Sequence, residues 1–147
     1  MKVLQVILTA MVAVLSFTSC KEDEPATPMI WEFSDYDAKE ISTVYAPDFY
    51  NQVQIKAKPD YTGEITLKCT NFPTVTFLSW DTDNMIVNKE CGFTITKVNA
   101  NTIKVAFTPV TLPAYKNEIS EFVAITGTNG KESGSTNMSI VRVNEKK

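Results

Sequence analysis

Polar and apolar residues alternate along most of this chain. Residues 52–58 set Val53, Ile55 and Ala57 on one side and Gln54, Lys56 and Lys58 on the other. Residues 64–70 repeat the pattern, with Ile65, Leu67 and Cys69 against Glu64, Thr66, Lys68 and Thr70. A period of two belongs to a strand with one buried and one wet face. The connection Pro59-Asp60-Tyr61-Thr62-Gly63 is a turn by composition. Residues 74–80 form a third run, rich in β-branched and aromatic side chains. Runs at 93–98 and 102–107 flank Asn99-Ala100-Asn101, and runs at 118–128 and 135–144 flank Asn129-Gly130-Lys131. Both read as hairpins. Strands near 30–34 and 41–45 precede them. After residue 20 no apolar stripe of helical spacing and length occurs. Seven or eight short strands with regular turns predict an all-β, antiparallel two-sheet sandwich over residues 30–147.

The first twenty residues follow a different pattern. Lys2 precedes an apolar run from Val3 to Phe17, broken only by Gln5, Thr9 and Ser16. Fifteen helical residues at about 1.5 Å each fall short of a ~30 Å hydrocarbon core, so the run reads as a cleaved signal peptide, residues 1–19. Phe17-Thr18-Ser19-Cys20 then resembles a bacterial lipobox, with Phe17 and Thr18 in place of the usual leucine and small residue. The resemblance implies cleavage before Cys20 and acylation of its sulfur and amino group. Lys21, Glu22, Asp23 and Glu24 resemble the lysine-plus-acidic signal that sends lipoproteins of the Bacteroidota to the cell surface. Each buried methylene contributes about 0.8 kcal/mol, so two or more chains hold a protein stably on a membrane. Residues 21–29, acidic and with two prolines, read as a tether.

A second resemblance lies in the strands. Gly63-Glu64-Ile65-Thr66-Leu67-Lys68-Cys69 looks like the second strand of immunoglobulin-like domains, and Trp80 falls near their core tryptophan. The last two strands carry no cysteine, so the usual inter-sheet disulfide is missing. The chain is also similar to the short immunoglobulin-like modules, BACON among them, of Bacteroidota surface lipoproteins.

Of three cysteines, a lipidated Cys20 leaves Cys69 and Cys91, both with inward parity. A disulfide between them and two buried free thiols both stay open. The chain has no histidine, which removes the usual general base and leaves no zinc set. Asp81-Thr82-Asp83-Asn84 begins like a calcium loop, but Met85 and Ile86 follow where glycine would turn the chain. Paired carboxylates are the remaining catalytic candidates, for glycoside hydrolysis: Asp35/Asp37, Asp81/Asp83 and Glu118/Glu121. They fall in polar turns and strand edges, so no enzyme activity, cofactor or metal is expected.

Composition narrows the partners. The formal net charge is −3, with a single arginine, Arg142. Such a chain does not attract phosphate backbones, so nucleic acid is not expected as a partner. Apolar residues at 44% are enough for one core. Trp31, Phe33 and Trp80 are expected in that core. Tyr36, Tyr50, Tyr61 and Tyr115, in turn regions, are the candidate ligand contacts, since amphipathic rings dominate binding hot spots. The sequence therefore predicts a lipid-anchored outer-membrane module, displayed at the surface, that binds a glycan or a surface protein without catalysis. The alternatives are an accessory lipoprotein of an outer-membrane complex and, last, a carboxylate-dependent glycoside hydrolase.

Overall fold

The computed structural model describes residues 27–46, 52–77 and 84–144. The signal segment, Cys20, Lys21 to Glu24, Tyr50, Trp80, Asp81 and Asp83 lie outside the described residues. Ten strands form two layers: β1 (Trp31–Ser34), β2 (Ile41–Ala46), β3 (Gln52–Ala57), β4 (Gly63–Cys69), β5 (Thr74–Phe77), β6 (Met85–Asn88), β7 (Phe93–Asn99), β8 (Thr102–Phe107), β9 (Glu118–Thr128) and β10 (Ser133–Val143). The first sheet has the order β1-β4-β8-β7-β6 and the second β2-β3-β10-β9-β5. The chain is a β-sandwich.

Alternation decides what fills the space between the sheets. Val53, Ile55 and Ala57 of β3 face Ile65, Leu67 and Cys69 of β4 across a core joined by Ile95, Ile103, Val105, Ile125, Met138 and Ile140. All are buried, and each fully buried aliphatic side chain contributes roughly 1.5–3 kcal/mol. Trp31 is in the core as expected, and its indole Nε1 donates to Thr136 Oγ1 at 2.9 Å. Phe33 is half-buried against the same core.

Two features depart from the sequence reading. β6 was not expected: four residues, of which only Ile86 is buried, are too short for alternation to register. The sheets are also not wholly antiparallel, because β3 and β10 pair in parallel, from Gln52 beside Asn137 to Ala57 beside Arg142. Wet outer faces favour antiparallel neighbours, but that rule concerns burial and does not constrain strands distant in sequence. After β3 the chain crosses to the other layer as β4, so β3 meets its last partner without a hairpin.

The N-terminal segment is part of the domain from before residue 30. Met29 is fully buried, and the Asn71 side chain accepts from Ile30 N at 2.8 Å and donates to the Pro28 carbonyl at 2.7 Å. Tyr45 donates its hydroxyl proton to the Met29 carbonyl. A Cβ on Gly134 would meet the Thr27 carbonyl oxygen at 2.4 Å, so only glycine lets the segment lie there. A single methionine after Pro25, Ala26, Thr27 and Pro28 carries no periodicity, which is why the sequence placed it in the tether.

Candidate functional site

The strand registers separate the two ends of the sandwich. Ala57 stands beside Ile41 and Arg142, while Gly63 and Phe93 both stand beside Phe107. The connections at 35–40, 58–62, 89–92 and 108–117 therefore gather at one end. Residues 27–30, 70–73, 100–101 and 129–132 gather at the other. Residues 27–30, the first described, enter at this second end.

The loop end is organised around Arg142, the sole arginine, which is fully buried on β10. Its Nε and Nη2 donate to the Lys58 carbonyl at 3.2 and 2.8 Å. Nη2 also donates to Pro59 O at 2.9 Å and Tyr61 O at 3.1 Å. Nη1 donates to the carbonyls of Cys91, Gly92 and Thr108 at 3.2, 2.8 and 2.9 Å. The guanidinium carbon lies 5.2 Å from the centre of the Phe107 ring. One planar group with five donors in a fixed fork thus ties three loops together. No carboxylate pairs with it among the described residues, and burial pulls its pKa below the ordinary arginine value. Gly92 completes the clamp with φ +66°: a Cβ there would meet Val110 Cγ1 at 2.3 Å and Thr108 O at 2.5 Å. Sequence reasoning saw Arg142 only as a count of one. The signal that could have marked it is its parity with Met138 and Ile140, the inward side chains that precede it on the same strand.

Three of the candidate tyrosines stand in loops at this end, in different settings. Tyr61 is half-buried, its ring 5.7 Å from that of Phe107. Burial pushes its hydroxyl pKa up, and Asp37, Glu40 and Glu64 push it further. Tyr36 is likewise half-buried against the core. Tyr115 is 84% exposed, with Lys116 Nζ 5.9 Å from its ring centre. Tyr50 is outside the described residues. The three described tyrosines do not make one aromatic platform; two of them support the loops and one is presented to solvent.

The two carboxylate pairs within the described residues do not form a catalytic site. Asp35 and Asp37 are both exposed, Asp35 with φ 58°, and Asp37 Oδ1 caps its own turn by accepting from Lys39 N at 2.9 Å. Glu118 and Glu121 are three residues apart on β9 and so project to opposite faces. Glu121 instead stands at the mouth of a lateral cleft of about 510 Å³ between β6 and β9, floored by Ile86, Phe93 and Val123. Asn88 Nδ2 donates to its Oε2 at 3.4 Å across that mouth.

Of the two readings for Cys69 and Cys91, the structure takes the free thiols and corrects the disulfide. Cys69 closes β4 beside Trp31 at the end that holds residues 27–30, and Cys91 precedes β7 at the loop end. Six residues of strand, roughly 20 Å, separate the two ends, against the ~7 Å that a bridge allows between Cα atoms. Inward parity placed both in the core but could not say at which end. Cys91 Sγ donates to Ile140 O at 3.6 Å, and burial pushes its pKa up to about 11.

Comparison with protein families, with curated proteins and with solved structures finds no match for this chain.

Proposed function

We propose that this protein is a lipid-anchored, non-enzymatic binding module of the outer-membrane surface. In this reading Cys20 carries the lipid, Lys21 to Glu24 direct surface export, and an immunoglobulin-like sandwich meets a glycan or protein partner. The observation that carries it is the separation of ends: residues 27–30 are pinned at one end, and the Arg142 loops are built at the other. Anchoring through the N-terminus then holds the loop end and both sheet faces away from the lipid. The immunoglobulin-like assignment has its own support. With β2, β3 and β6 set aside as additions, the orders β1-β4-β8-β7 and β10-β9-β5 are compatible with strands A, B, E and D against G, F and C. The test is Cys20→Ala. The variant should accumulate as uncleaved precursor or leave the membrane fraction, and proteinase K on intact cells should remove the wild-type domain only. A processed, membrane-bound variant would refute the anchor.

A second reading, an accessory subunit packed on an outer-membrane complex, is favoured by one feature. The edge strand β6 exposes Met85 at 47% and Val87 at 53%. Stoichiometric co-purification with an integral outer-membrane protein, lost in Val87→Lys, would support it over independent ligand binding.

A further inference from the structure

The two outer faces of the sandwich differ in charge. On the first sheet Glu32, Glu64, Lys68 and Lys104 point outward, and Lys104 Nζ lies 3.0 Å from Glu64 Oε1. The second sheet presents rows of uncharged side chains across four strands. One row is Val44, Gln54, Ser139 and Phe122; the next, toward the end that holds residues 27–30, is Ala46, Gln52, Asn137 and Ala124. Thr76 beside Thr126 continues the neutral surface onto β5. Among the described residues its charges are Lys56 and Glu118, both near the Arg142 end. Phe122 is 62% exposed on a strand whose ladder with β10 runs from Glu118 to Thr128. Its ring is therefore an apolar plate on a rigid support, with the buried Ser139 directly across, the Asn137 amide diagonal to it and the Gln52 and Gln54 amides one strand further on.

We propose that this face binds an uncharged polysaccharide, with Phe122 under a sugar ring and Gln52, Gln54 and Asn137 meeting its hydroxyls. The proposal rests on the reading of the protein as a surface binding module and adds the site and the ligand class. The chemistry matches on each count. A pyranose has an apolar C–H face that suits an aromatic plate. Its hydroxyls both donate and accept, as a carboxamide does, and no charge on the sugar has to be desolvated. A polyanion would find no cation along these rows and would approach a chain of net charge −3. The face lies along the side of the sandwich, so a long polymer can run across several strands without meeting the tether.

The test is affinity electrophoresis of the full-length mature protein in non-ionic detergent. The gels contain amylose, barley β-glucan or yeast mannan, with polygalacturonate and chondroitin sulfate as charged counterparts. At least one neutral polymer should retard the protein and neither polyanion should. Phe122→Ala should weaken retardation about tenfold, the loss of one stacking contact. Lys104→Ala, on the opposite face, should leave it unchanged. Both side chains are at the surface, and superimposable circular-dichroism melts will show that the variants fold. Retardation by no neutral polymer, by polyanions alone, or equally for Phe122→Ala would overturn the proposal. A concentration-dependent dimer in sedimentation that Phe122→Ala abolishes would overturn it too and give the face to a second copy of the chain. The gels need no membrane, so a failed binding test is distinct from a failed anchor, which the mass of the N-terminal peptide reads separately.

Discussion

Two residues show how a polar group is kept inside this sandwich. Arg142 is buried because every donor of its guanidinium finds a backbone carbonyl, and those carbonyls belong to loops that would otherwise lack a common partner. A lysine there has the charge but not the planar fork. Arg142→Lys is expected to cost about 2–4 kcal/mol and to loosen residues 58–61 and 91–92, read by urea unfolding and by amide exchange in those loops. Unchanged stability would show that the bonds are incidental. Trp31 is a smaller case of the same kind. Trp31→Phe keeps most of the ring but leaves the buried Thr136 hydroxyl without its indole donor, at about 1–3 kcal/mol. The double variant with Thr136→Val should recover part of that loss in the same unfolding assay.

The thiols give a prediction in pH. The unfolded chain loses the Cys91 proton near the ordinary value of 9.0, whereas the folded chain holds it to about 11. The unfolded state binds fewer protons in that window, so folding stability is complete below pH 9 and falls as pH rises toward 11. Burial raises Cys69 in the same direction and adds to the slope. Unfolding curves across pH 8–11 should show this decline, and Cys91→Ala should flatten it. A thiol titration should find both groups unreactive in the native protein and reactive once it is denatured without reductant.

At the scale of elements, the clearest prediction concerns Gly92, the left-handed residue of the β6–β7 connection. Gly92→Ala combines a left-handed backbone with a clash against Val110 and Thr108. It should destabilise by more than the ~1 kcal/mol typical of a strained alanine, visible as a lowered thermal midpoint. What the sequence revealed about the elements follows from burial. β3, β4 and β8 were legible because each buries three or more side chains, and β7 because it buries Phe93 and Ile95 in alternation. β6 was not, having a single buried residue. The hairpins were legible because asparagine and glycine mark their turns, and Gly130 does adopt φ 88°. The loop end was not, since the tyrosines were weighed as a surface set. Whether a turn tyrosine folds back on the core depends on a tertiary neighbour, as Phe107 is for Tyr61, and no local pattern records that. The neutral outer face was also hidden: its rows join residues from β2, β3, β9 and β10 that become neighbours only through the parallel β3–β10 pairing.

The described residues form two packed five-stranded sheets, with residues 27–30 held at one end. That arrangement suits a tethered body, because residues 27–30 are held by the Asn71 bonds and by Met29, itself part of the core. Surface display, the loop end and the uncharged face all gain meaning only if the protein is held by Cys20. The measurement that bears on this most directly is the intact mass of the protein extracted from membranes of the producing cell. The expected mass is that of a chain beginning at Cys20, increased by a glyceryl group and two or three acyl chains. A soluble product, or one whose mass shows Cys20 unmodified, would contradict the account.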